Sequence, residues 1–237
     1  MSKIDSYHVM IVSKYFVTIR DFINVELVCK KFGGTMEKFH FNPIPLNSKT
    51  LGYFSNIETL CLWNKEDNTF GNRFMINKMT NGDIEDIPVF KKAFYKIIVW
   101  FNVNFETVDQ NKSRNIEFKN VTYTRDDREK FGNIIPLNVT SIGEKCFNWC
   151  SYLSSITIPL GVTSFSDWCF SGCSSLSSMI IPSSVTSIGY QCFSYCNSLK
   201  SITIPPSVTS IDNYCFYGCD SLSSVTIPST VSSIGNH

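Results

Sequence analysis

Eight of the ten cysteines in this 237-residue chain fall in four identical C-x-x-x-C pairs: Cys146/Cys150, Cys169/Cys173, Cys192/Cys196 and Cys215/Cys219. Thiols at that spacing can do three different things. On one turn of helix the two thiolates share a face, and two such pairs could complete a tetrahedral zinc site. Cysteines of one column in adjacent layers could approach within disulfide range. Buried and protonated, they act as small apolar fillers. Both columns recur with a fixed period, whereas zinc sites are discrete, so packing is the expected role and no metal or cofactor is anticipated. Cys29 and Cys61 lie outside the pattern.

Other chemistry is sparse. The three histidines, His8, His40 and His237, stand far from any cysteine or carboxylate arrangement that would activate a nucleophile. There is no Gly-rich phosphate loop and no paired-carboxylate motif. Lys and Arg number 21 against 20 Asp and Glu, a formal charge of +1, so the basic footprint of a nucleic-acid binder is missing. The start, Met1-Ser2-Lys3-Ile4-Asp5-Ser6, is polar, and Ser13-Lys14 interrupts the apolar stretch after it. That does not read as a signal peptide, and no apolar run is long enough to span a bilayer. The expected compartment is therefore cytoplasmic, with unconventional cell-surface display as the alternative. Catalysis is not expected.

The cysteines belong to a repeat. Complete coils run Pro136 to Ile158, Pro159 to Ile181, Pro182 to Ile204 and Pro205 to Ile227, each of 23 residues, and a fifth begins at Pro228. Each reads P-x-x-V-T-S-I/F-x-x-x-C-F-x-x-C-x-x-L-x-S-I/V/M-x-I. One coil buries too few apolar side chains to offset the entropy of ordering itself, so stacked coils are the stable arrangement. The segment Leu153-Ser-Ser-Ile156-Thr-Ile158 has strand spacing, with Leu153, Ile156 and Ile158 inward and residues 155 and 157 outward. The proline that follows turns the chain off the sheet. The C-F-x-x-C block predicts one turn of helix on the far side.

This pattern resembles the BspA-like leucine-rich repeats of bacteria and protists. Family members commonly carry Ala-Phe where this chain has Cys-Phe, and both residues suit a small buried position. The resemblance implies an α/β solenoid, a leucine-rich repeat with a short parallel sheet on its concave face and a small helical N-terminal cap. It also implies protein or ligand binding, often of an adhesion or surface-interaction type. The outward positions of the expected sheet are Ser155, Thr157, Ser178, Ile180, Ser201, Thr203, Ser224 and Thr226. These are the candidate partner-binding residues, suited to an extended ligand or a protein. The aromatics Trp149, Trp168, Tyr195 and Tyr217 form a rival patch on the other side. The open C-terminal coil could support self-association.

The chain reads as three segments. Residues 1–45 form a helical cap, in which Asp5 or Ser6 caps a first helix and Asp21 the second, ending at Gly33-Gly34. The string from Ile11 to Phe32 is also similar to the F-box, although Ser6-Tyr7-His8 stands where an F-box opens with Leu-Pro. That similarity implies a substrate receptor docking on a ubiquitin-ligase adaptor through Ile11, Phe16, Phe22 and Val25. Residues 46–131 read as degenerate repeats with insertions. Their strand candidates are Ile57–Leu62, the alternating Ile97/Val99/Phe101/Val103/Phe105, and Ile116–Tyr123. A charged helical turn over Asp126–Lys130 precedes the regular repeats of 132–237.

Overall fold

A computed structural model describes residues 6–28, 30–72 and 91–236. Cys29, Asp5 and His237 lie outside the described residues. The chain divides into two compact units, Met1–Phe101 with Gln110–Lys119, and Asn102–Asp109 with Asn120–His237.

The first unit opens with helices α1 (Ser6–Val12) and α2 (Ile19–Val28). The α2 start differs from expectation. Thr18 precedes the helix, and its N–H and hydroxyl both donate to the Asp21 carboxylate at 2.8 and 2.9 Å, as does the Val17 N–H. Asp21 thus sits inside the first turn and satisfies the amides before it, rather than being the cap itself. Those hydrogen bonds, from Thr18 above all, hold its carboxyl below the usual range. Phe22 is buried at the centre of an aromatic cluster, edge-on to Phe16, Phe39 and Phe54 at 4.9, 5.7 and 5.3 Å. Strand β1 (Thr59–Leu62) pairs in parallel with the start of β2 (Lys96–Asn104), from Thr59 opposite Lys96 to Leu62 opposite Val99. Buried Asn42 ties its own segment to β1, accepting from the Cys61 N–H at 2.6 Å and donating to the Cys61 carbonyl at 2.9 Å. A side-chain amide can do this because it supplies a donor and an acceptor at once.

Helix α3 (Phe105–Gln110), strand β3 (Ile116–Tyr123) and helix α4 (Arg125–Phe131) follow. The charged turn expected near Asp126 is α4, opened by a reciprocal capping box between Thr124 and Asp127 and closed by Gly132 at φ 89°. Asp127 is buried, and its carboxylate also accepts the Phe105 and Glu106 N–H groups at 3.1 and 2.8 Å, so one residue caps two helices.

The second unit is a parallel-sheet solenoid of about six turns. Each regular coil brings up to two short strands: β4 (Ser141–Ile142), β5 (Ser164–Phe165), β6 (Ser178–Ile180), β7 (Ser187–Ile188), β8 (Ser201–Thr203), β9 (Ser210–Ile211), β10 (Ser224–Thr226) and β11 (Ser233–Ile234). The sheet expected from the L-x-x-I-x-I segment is present as β6-β8-β10. The longer ladder is made by the T-S-I segment, which joins the end of β3 to β4, β5, β7, β9 and β11 in turn. There each threonine N–H donates to the threonine carbonyl one coil earlier, Thr163 to Thr140 and Thr186 to Thr163, both at 2.8 Å.

The cysteine block is not helical. Its phenylalanine amides go between coils, Phe147 N–H to Cys169 O at 2.7 Å, Phe170 to Cys192 at 3.0 Å and Phe193 to Cys215 at 2.9 Å, while the Cys150, Cys173 and Cys196 amides close turns onto the phenylalanine carbonyl three residues back. A helical turn would consume those donors within its own coil. Left-handed residues at Lys145, Trp149, Trp168, Gln191, Tyr195 and Tyr214 swing the amides outward instead. The core between the walls holds a stack of phenylalanines, Phe147, Phe170, Phe193 and Phe216, with centroids 5.3, 5.6 and 5.8 Å apart and planes within 10°.

Candidate functional site

On the β6-β8-β10 face the register places Ser178 beside Ser201 beside Ser224, and Ile180 beside Thr203 beside Thr226. All six side chains are exposed, while Met179 and Ile202 between them are buried. Ser155 and Thr157 of the preceding coil are also exposed, although that coil forms no strand here. The eight candidate positions therefore share one solvent-facing surface, with no charged side chain among them. A shallow cavity of about 340 Å³ lies at its first coils, lined by Ser155, Thr157, Leu160, Ser178, Ile180 and Pro182. Ile180 at 85% and Leu160 at 79% exposure give that end an apolar character.

A larger groove, about 830 Å³, was not anticipated and runs along the T-S-I ladder. Ser164, Ser187, Ser210 and Ser233 line it, together with Glu144, Asp167 and Asp212. The neighbouring hydroxyls are committed to structure: Thr163 and Thr186 each donate to the threonine carbonyl of the preceding coil at 3.1 Å. The serine hydroxyls at Ser164, Ser187 and Ser210 have no such bond among the described residues. The sequence signal was the alternation of a threonine and a serine in every T-S-I segment, which reads equally as a soluble strand edge. Asp167 is also partly occupied, accepting the Tyr190 N–H at 2.9 Å.

The repeat cysteines face inward. Cys146, Cys150, Cys169, Cys173, Cys192, Cys196 and Cys215 are buried, and Cys219 is half-buried. Thiols of the second column donate to phenylalanine carbonyls one coil back: Cys173 to Phe147, Cys196 to Phe170 and Cys219 to Phe193, at 3.2, 3.3 and 3.1 Å. Burial pushes Cys173 up to about 12 and Cys219 up to about 11, and drives Cys192 and Cys215 well above the ordinary thiol value. Thiols so placed are poor nucleophiles and poor ligands, since both roles need the thiolate. Among the described residues no His, Cys, Asp and Glu side chains gather into a group that could hold a metal. His40 is exposed and lies 4.0 Å from Glu58.

At the turns of the solenoid, Trp149, Tyr195 and Tyr217 are exposed. Trp168 is partly covered: its indole N–H donates to Gln191, and the Lys145 ammonium lies 4.7 Å from its ring. In the first unit Ile11 is exposed, Phe16 and Val25 are half-buried, and Phe22 is interior. Phe22 cannot present its ring to a partner while it fills the cluster with Phe39 and Phe54. The helical segment also exposes Val12, Tyr15, Val17, Leu27 and Val28.

A family model described as the BspA type leucine rich repeat region matches residues 119–237 in six copies. No curated protein matches the sequence. Among solved structures, the T. pallidum leucine rich repeat protein is similar at 20% identity over 59% of this chain and 72% of that one, with a TM-score of 0.44. A leucine rich cell surface protein from Faecalibacterium prausnitzii is 27% identical over 56% of this chain and 32% of its own, with a TM-score of 0.38. A leucine-rich repeat protein from Bacteroides ovatus is 24% identical over 50% and 40%, with a TM-score of 0.26. The chain thus spans about a third and two fifths of the latter two proteins. No helix among the described residues is long and apolar enough to cross a membrane.

Proposed function

Because the chain belongs to the BspA-type leucine-rich-repeat family, we propose that it is a non-catalytic binding protein that captures a protein or extended ligand along the rows of its solenoid. The carrying observation is the register of the β6-β8-β10 face, which aligns exposed Ser and Thr side chains coil upon coil. Rows of hydroxyls at constant pitch suit a partner that runs across the coils and hydrogen-bonds repeatedly, as extended repeat surfaces do. Display at a cell surface, in an adhesion-type role, belongs to this reading.

Affinity capture with the intact chain tests it. Thr203→Arg places a long cation in the middle of the row without touching the buried Ile202, so the fold is kept and capture is lost. Ser187→Arg does the same for the groove on the T-S-I ladder. Loss with Thr203→Arg alone assigns the strand face; loss with Ser187→Arg alone moves the site to the groove. Capture unchanged by both variants overturns the proposal. Labelling of intact cells with an antibody to the chain decides whether it is displayed.

A second reading rests on the first unit. Helices α1 and α2 and the segments at their ends expose Ile11, Val12, Tyr15, Val17, Leu27 and Val28, an apolar surface that an F-box-type substrate receptor would present to a ubiquitin-ligase adaptor. Ile11, Phe16 and Val25 remain available for that contact. Co-purification of the adaptor with the full chain, abolished by Ile11→Asp, is its expected signature, and failure of the adaptor to bind ends it.

A further inference from the structure

Two columns of left-handed residues mark the turns of the solenoid, and the second has an unusual composition. It holds Trp149, Gly172, Tyr195 and Gly218 at φ 57, 75, 57 and 69°. Glycine is the low-cost occupant of that conformation, whereas a large aromatic residue is strained there. Each ring is laid on the glycine of the next coil. A β-carbon at Gly172 would lie 2.7 Å from Cδ2 and Cε3 of Trp149, and one at Gly218 would lie 2.8 Å from Cδ1 of Tyr195. The two ring planes differ by only 20°, with centroids 6.2 Å apart. Each ring thus lies close to the glycine backbone of the next coil, yet Trp149 stays 67% and Tyr195 41% exposed. Tyr217 stands nearly perpendicular to Tyr195, 89° between planes and 5.4 Å between centroids, and forms a wall at one end.

We propose that the Trp149–Tyr195 platform is a carbohydrate-binding site that takes the sugar rings of a neutral polysaccharide. A pyranose ring has an apolar face of C–H bonds and a rim of hydroxyls. Flat aromatic faces match the first, and exposed Tyr195 and Tyr217 carry hydroxyls that suit the second. The platform rings and glycines carry no charge, which fits an uncharged ligand. Exposed aliphatic residues of the solenoid such as Leu137, Leu160, Ile180, Ile227 and Ile234 lie on the proline turns and strands instead. A protein interface would draw on aliphatic and arginine side chains beside the aromatics, whereas the large exposed side chains of this column are Trp149 and Tyr195. The site is separate from the strand face, so either can fail without the other.

Native-gel electrophoresis of the intact chain through gels containing β-glucan, mannan, xylan or dextran is the test, read together with tryptophan fluorescence. At least one polysaccharide should retard the wild-type chain and shift its emission. Trp149→Ala should weaken that retardation by about tenfold, and Tyr195→Phe, which keeps the ring, should largely preserve it. Thr203→Arg on the strand face should leave it unchanged. Thermal unfolding of each variant checks that the coil is intact. Absence of retardation by all four polysaccharides overturns the proposal, as does retardation that persists in the Trp149→Ala/Tyr195→Ala double variant. Loss of protein capture in the platform variants without any polysaccharide binding also overturns it, and assigns the surface to a protein partner.

Discussion

The Sγ atoms of Cys169 and Cys192 lie 3.4 Å apart in the solenoid interior, one coil above the other and both fully buried. Burial pushes both thiols above their ordinary pKa. They are packing atoms that happen to carry sulfur.

Reactivity toward a thiol reagent at neutral pH should follow burial. Cys219, half-buried and raised only to about 11, should react first, while Cys169, Cys192 and Cys215 should stay silent until the chain unfolds. Titration with a chromogenic disulfide, native and then in denaturant, reads this directly. Eight fast thiols in the folded protein would contradict the packing role.

Stability should also fall at alkaline pH. The thiols raised by burial, Cys173 and Cys219 among them, are protonated in both states below about pH 8, so their full contribution is present there. Above it the unfolded chain releases protons that the folded chain retains, and each such thiol costs about 1.4 kcal/mol per pH unit. The loss continues until the folded values are reached, about 11 for Cys219 and about 12 for Cys173. Urea midpoints at pH 7, 8 and 10 should therefore be nearly level between the first two and clearly lower at the third. Equal midpoints throughout would refute the linkage.

Gly172→Ala should destabilise by about 2–3 kcal/mol, because it adds a β-carbon both at a left-handed φ and against the Trp149 ring. In a Trp149→Ala background the clash disappears and the cost should fall toward about 1 kcal/mol. The double-mutant cycle, measured by chemical denaturation, isolates the ring contact. Additive effects would show that the ring does not rest on the glycine.

Asp127→Ala should cost about 3 kcal/mol or more, since it removes the acceptor for the amides of Phe105, Glu106 and Thr124 in a buried setting. Asp127→Asn keeps one carbonyl oxygen and should recover part of that loss. Hydrogen exchange at those three amides checks the assignment, because fast exchange in the alanine variant alone is the expected pattern.

The regular coils were legible in the sequence because every inward position recurs in the same chemical type, from Val139 to Ile204, at a constant interval. Strand β2 was legible too, through its alternation from Ile97 to Val103. What escaped depended on the neighbouring coil. Cys146 and Cys150 sit at a spacing that suits one helical turn or a pair of stacked turns, and only the destination of the Phe147 amide, the carbonyl of Cys169, separates the two. Thr18 and Asp21 both have capping chemistry, three residues apart, and which of them lies outside α2 depends on where the chain enters the helix. The eight outward Ser, Thr and Ile positions were placed on an exposed face by period alone. The larger groove escaped because its serines carry no pattern that distinguishes them from solubilising side chains.

The resting of Trp149 on Gly172, and of Tyr195 on Gly218, sets a longer wavelength than the backbone does. The main chain returns to phase after one coil, yet this column returns only after two, with large and absent side chains taking turns. A single coil inserted or excised anywhere in the array would keep every strand in register and still put ring against ring or leave a glycine bare. Change in pairs of coils would preserve both. The solenoid therefore has a parity, and growth or loss of repeats that respects its surface must proceed by twos.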